Sequence, residues 1–201
     1  MRELAWVTLL GLVACSGGGK GDDGDDTDMA DDTDMTGDTD MGDTDMGDPT
    51  GDAQTPPQGH DHVEAWLAAG HYLDWHCEAE PQSGRFGSPH GVARICSNDA
   101  LAGAGSSPWP VGSAGVKEIY DDMDAIIGYA VYLKVNEGTE GSDWYWYERV
   151  PIPGISDERD VVADGMGDAG NARDICVGCH AAAGDGAHPG ADFVYVQVTG
   201  M

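Results

Sequence analysis

The chain has 201 residues, 40% of them hydrophobic, and carries 37 Asp and Glu against nine Lys and Arg, for a formal net charge of −28. Nucleic acid and anionic lipid are poor partners for such a surface, so no nucleic-acid role is expected; a basic redox protein or a small ligand fits better.

Met1 and Arg2 form a short positive n-region and Leu4 to Ala14 an apolar h-region, which together read as a signal peptide over residues 1–14. The apolar run is too short to be a membrane span. Leu12-Val13-Ala14-Cys15 matches a lipoprotein signal-peptidase box. Cleavage there leaves a lipidated Cys15 that anchors the mature chain to a membrane through lipid alone; an ordinary secretory signal is the alternative. Either route exports the protein, to the periplasm or cell surface of a Gram-negative bacterium, where disulfides persist.

Residues 15–57 follow as the lipidated cysteine and a disordered linker. From Gly17 onward Asp, Thr, Gly and Met dominate, and Asp-Thr-Asp-Met recurs at Met29, Met35, Met41 and Met46, with fourteen Asp against one Lys. A segment with no apolar face cannot offset its ordering entropy, and self-repulsion extends it into a stalk.

Residues 58–201 form one domain with a usable core. Val63, Trp66, Leu67 and Leu73 recur near helical spacing and predict a helix over Asp61 to His76, with a loop over Pro81 to Gly91. Strands are expected over Val92 to Ser97, Val116 to Tyr120, Ile126 to Val135 and Trp144 to Val150. In the third, Ile127, Tyr129, Val131, Leu133 and Val135 share a face by alternation. A Gly/Asp-rich stretch, Pro151 to Gly170, precedes a short helix capped by Asn171, and Asp192 to Val198 reads as a last strand. The expected fold class is α+β: mainly antiparallel β-sheet with flanking helices.

The predicted helix carries Cys176-Val177-Gly178-Cys179-His180, and CxxCH is the attachment signature of a c-type haem. Two cysteines three residues apart lie on one face of a helical turn, where each can form a thioether with a haem vinyl group. His180 then becomes the axial ligand of the iron. A zinc half-site lacks a second Cys/His pair at matching spacing, and a thioredoxin-like dithiol lacks its βαβ surroundings. With Cys15 assigned to lipid and Cys176 and Cys179 to haem, Cys77 and Cys96 remain as a disulfide pair, two buried thiols being the alternative. The bond contributes about 3 kcal/mol by chain-entropy reasoning.

Ser88-Pro89-His90-Gly91 before the first strand, Gly115-Val116-Lys117-Glu118, Asp143-Trp144-Tyr145-Trp146-Tyr147, the late CxxCH and the closing Asp192-Phe193-Val194 resemble the cytochrome P-460 and cytochrome c-prime-beta family. The resemblance covers residues 62 to 198. It implies an antiparallel sheet around one covalently attached haem c, five-coordinate on His180 and open on the other side. Members bind nitric oxide or oxidise hydroxylamine, exchange electrons with a redox partner protein, and often form homodimers. It also implies that Lys117 is the candidate for a covalent bond to the haem edge and Glu148 the candidate for proton removal, since alternation places Glu148 on the side of Trp144 and Trp146. The plainer readings of those two residues are a solvated strand lysine and a Glu148 that pairs with Arg149 or faces solvent. The family's gas-binding members cap the iron with phenylalanines. This chain has only Phe86 and Phe193, so its wall must come from Trp, Tyr or aliphatic residues.

Six further histidines (His60, His62, His71, His76, His90 and His188) and two methionines, Met123 and Met166, are nominal sixth ligands. None is assigned. Two other functions therefore stand beside ligand chemistry: a six-coordinate electron-transfer cytochrome, and a haem module that binds nitric oxide without turnover.

Overall fold

A computed structural model describes residues 53–83, 89–105, 107–185 and 190–195. The signal peptide, Cys15, nearly all of the linker, Phe86, Ser88 and His188 lie outside them. The chain divides between Asp43 and Thr44, and every described residue belongs to the second unit. Among the described residues no helix is long and apolar enough to cross a membrane.

Six strands form one antiparallel sheet in sequence order: β1 (His76–Cys77), β2 (Val92–Ser97), β3 (Ala114–Tyr120), β4 (Ile126–Lys134), β5 (Trp144–Arg149) and β6 (Val161–Met166). With the helices on its faces, this is the expected α+β class. Neighbours in sequence pair throughout, so every connection is local and the register follows from the turns.

The β-branched and aromatic runs that predicted four strands form β2 to β5, within two residues at each end. Tyr129, Val131, Leu133 and Val135 do share a face, packed on or within one core, whereas Ile127 stays exposed near the hairpin tip. β6 lies within the Gly/Asp-rich stretch Pro151 to Gly170, where the sequence predicts no strand. Its apolar content is only Val161-Val162-Ala163 and Met166, broken by Asp164 and Gly165, and pairing with β5 overrides the weak local signal.

One sheet face packs on α1 (His60–Ala68) and on a 3-10 turn at His71–Asp74. The expected single helix to His76 is broken at Gly70, whose φ of 74° is left-handed. The break rotates the following residues, so Tyr72 and Trp75 are buried with Val63, Trp66 and Leu67, while Leu73 points outward. Cys77 and Cys96 are directly paired across β1 and β2 and are bonded as a disulfide beside this core.

The packed chain starts earlier than residue 58. Pro56 is buried, the Trp75 indole donates to the Ala53 carbonyl at 2.9 Å, and Asn98 donates to the Gln54 carbonyl at 2.7 Å. Asn98 also caps α2 (Asp99–Ala104), a helix too short to show periodicity in the sequence. Its Oδ1 accepts from Leu101 N and Ala114 N at 3.0 Å each, and its amide donates to the Gly112 carbonyl at 2.7 Å. Asn98→Ala strands several buried backbone groups at once, so we expect about 3 kcal/mol lost in urea unfolding; a loss below about 1 kcal/mol would contradict this role.

The other sheet face packs on the cysteine motif. Ala172–Val177 is a π-helix running into a single α-turn, α3 (Gly178–His180). Asn171 stands at the N-cap position, as the sequence predicts, but its side chain makes no capping bond; its amide instead donates to the Val162 carbonyl at 2.7 Å and ties the motif to β6. The described part of the closing segment is also not a strand. Ala191 to Val194 form a tight turn closed by reciprocal backbone bonds of 3.0 and 2.9 Å, with Asp192 and Phe193 both at positive φ.

Candidate functional site

The motif helix approaches the sheet closely because two glycines make room. A Cβ on Gly141 or Gly167 would lie 2.4 or 2.6 Å from a Val177 methyl. Val177, between the two cysteines, thereby seats the turn and directs Cys176, Cys179 and His180 to a single cleft. The cleft between motif and sheet has a volume of about 110 Å³, is partly open to solvent, and has a mainly apolar wall: Ala130, Ile152, Val162 and Ile175 among others.

His180 is packed among aromatic rings, with centroid distances of 4.8 Å to Trp146, 5.2 Å to Tyr195 and 6.4 Å to Tyr132. Its Nδ1 donates to the Phe193 carbonyl at 2.6 Å, since a carbonyl only accepts. The proton is thereby assigned to Nδ1 and the lone pair to Nε2. Burial and the nearby Lys117 charge push the imidazole down to about 3, against the pull of the Phe193 carbonyl, so the ring is neutral and able to ligate a metal. Cys176 is buried and free, and burial, with Glu148 and Cys179 adding to it, pushes its thiol up to about 12.

Lys117 and Glu148, far apart in sequence, both line this cleft. Their register explains it: Lys117 on β3 and Glu148 on β5 are each paired with Ala130 on the intervening β4. The two backbones are therefore two strand spacings apart, about 10 Å, with a small residue between them. Glu148 does not pair with Arg149, which alternation sends to the opposite face, where its Nε donates to Glu64 at 2.7 Å.

His90 is the residue that sequence reasoning left unassigned. It enters the same cleft, and its Nδ1 lies 3.3 Å from Glu148 Oε1, both side chains being about nine-tenths buried. In the sequence it is marked only as part of Ser88-Pro89-His90-Gly91 at the entrance to β2, and nothing there shows that it meets β5, which it does only through tertiary packing. The other described nominal ligands do not line the cleft. His60 bonds Tyr147 Oη, His76 bonds Asp99, His71 lies against Trp66, His62 and Met123 are exposed, and Met166 packs beside the first core. Among the described residues no three His, Cys, Asp or Glu side chains gather as a metal-ion cage.

Set against known proteins, the chain matches no family model, no curated protein and no solved structure.

Proposed function

We propose that this protein is an exported, lipid-anchored c-type haem protein of the cytochrome P-460 kind, which binds or oxidises a small nitrogen species and exchanges electrons with a partner. One observation carries the reading: two thiols outside any disulfide and a neutral imidazole, all from CxxCH, line one apolar-walled cleft with Lys117, Glu148 and His90. The donor set fits the group. Cys176 and Cys179 would hold the macrocycle through thioethers, and His180 Nε2 would hold the iron, whose other face supplies a coordination position and one-electron chemistry.

The chain's residues orient the ligand and handle its protons. Glu148 Oε1 is the acceptor for an N–H or O–H proton of hydroxylamine, and His90, 3.3 Å away, orients that carboxylate. Trp146, Tyr132 and the aliphatic wall exclude water. A bond from Lys117, which lines the same cleft, to the haem edge would alter the group's electronics. The acidic domain favours a basic redox partner.

The His90 position favours a second reading, in which that imidazole fills the sixth site and the protein only transfers electrons. Ultraviolet-visible spectra of the exported protein, ferric and ferrous, with and without nitric oxide or carbon monoxide, decide between them. A high-spin spectrum that responds to the gas is expected, with a red-shifted ferrous band if Lys117 is bonded to the haem. A low-spin spectrum indifferent to the gas would replace this reading with the electron-transfer one.

A further inference from the structure

We infer that Lys134 and Asp192 are positioning residues for His180: their buried ion pair clamps the turn that delivers the Phe193 carbonyl to His180 Nδ1. The inference rests on the haem reading above, because it concerns how electron-rich the His180 ligand is made.

Lys134 ends β4, and its Nζ lies 3.2 Å from Asp192 Oδ2 and donates to the Gly138 carbonyl at 2.6 Å. Both side chains are essentially inaccessible, at 0% and 2% exposure. The ammonium also sits 4.8 Å over the Trp144 ring. Removing two charges from water costs several kcal/mol per ion, and an apolar pair of similar volume is commonly as stable. Stability alone therefore does not account for this pair, and its position does.

Asp192 and Phe193 have φ of 44° and 66°. Non-glycine residues rarely occupy this region, and such strain persists only where surrounding contacts over-determine it. Three contacts do so: the ion pair, the Trp109 indole donating to the Ala191 carbonyl at 3.0 Å, and the Ala191–Val194 backbone bonds. Release of either residue to its preferred backbone region swings the Phe193 carbonyl away from the imidazole. The bond it makes to Nδ1 is the kind that sets ring orientation and raises the basicity of a ligating Nε2. Lys134 thus acts on the iron ligand through a turn 58 residues away in sequence.

The test uses the mature haem-loaded protein carrying Lys134→Met and Asp192→Asn together. This double variant removes a positive and a negative charge at once, so it orphans neither and leaves net charge unchanged. The expected result is haem still attached, a lower iron–histidine stretching frequency by resonance Raman, and a reduction equilibrium shifted about tenfold toward the ferrous form, about 59 mV for a one-electron couple. An exposed pair neutralised in the same way, Arg159→Met with Asp157→Asn, should shift neither quantity. Trp109→Phe, which removes the indole bond to the Ala191 carbonyl and orphans no charge, should move both in the same direction by less, which covers the case of a double variant that does not fold. Wild-type potential and stretching frequency in a haem-bearing Lys134/Asp192 variant overturn the inference alone. A wild-type protein without covalent haem overturns the haem reading, and this inference with it.

Discussion

Replacing both motif cysteines, Cys176→Ala with Cys179→Ala, should abolish covalent haem, so that a denaturing gel stained for haem peroxidase activity shows no band where the wild type shows a strong one. Each single variant, Cys176→Ser or Cys179→Ser, should lose one of the two thioethers, which acid extraction and mass measurement separate. The reasoning is geometric. Val177 seats the motif turn against Gly141 and Gly167, so both thiols and the imidazole open into the cleft rather than to opposite sides of a helix. A bound macrocycle would also fill space against an apolar wall, and a ligand held only by the native state raises stability by linkage. The double variant should therefore melt at lower temperature as well. Both thioethers surviving in Cys179→Ser would show that the motif is not the attachment site.

The second large effect is expected at Glu148. Glu148→Gln keeps the shape of the side chain but removes its capacity to accept a proton, and general acid–base assistance contributes typically 10²- to 10⁴-fold. Hydroxylamine oxidation should fall by about 10² or more while nitric oxide still binds, as followed by steady-state turnover beside spectral titration. His90→Ala should cost less alone and add little to Glu148→Gln, because two residues in one contact do not contribute independently. Lys117→Ala is read in the spectrum: loss of the red-shifted ferrous band identifies Lys117 as a covalent partner of the haem, and an unchanged spectrum excludes that bond. Unchanged turnover in Glu148→Gln would remove the carboxylate from the mechanism, whereas a wild type that binds nitric oxide but does not turn over hydroxylamine would make a gas-binding module the better description.

Much of the scaffold was readable along the chain because its strands are strong local signals. Runs such as Ile126 to Lys134 and Trp144 to Arg149 are β-branched or aromatic and alternate, so period and propensity agree. β6 lacked that agreement and was missed; it exists because β5 offers it a ladder. The helix after residue 60 was read too long because periodicity is insensitive to one left-handed glycine. The last segment was read as a strand from its Phe-Val-Tyr-Val composition, yet Asp192 and Phe193 turn there under contacts from Trp109 and Lys134.

The sequence by itself determined what is local: the spacing of Cys176, Cys179 and His180 on one helical turn, and the alternation that sends Glu148 and Arg149 to opposite faces. It also left Cys77 and Cys96 as the remaining cysteine pair, which the structure joins. Only the tertiary structure decided that Lys117 and Glu148 flank Ala130, that His90 reaches Glu148, and that a buried lysine holds the turn behind His180. The physical reason is range. Periodicity and motif spacing act over a few residues, whereas these meetings join positions tens of residues apart and follow from strand register and the seating of loops, which a linear chain does not display.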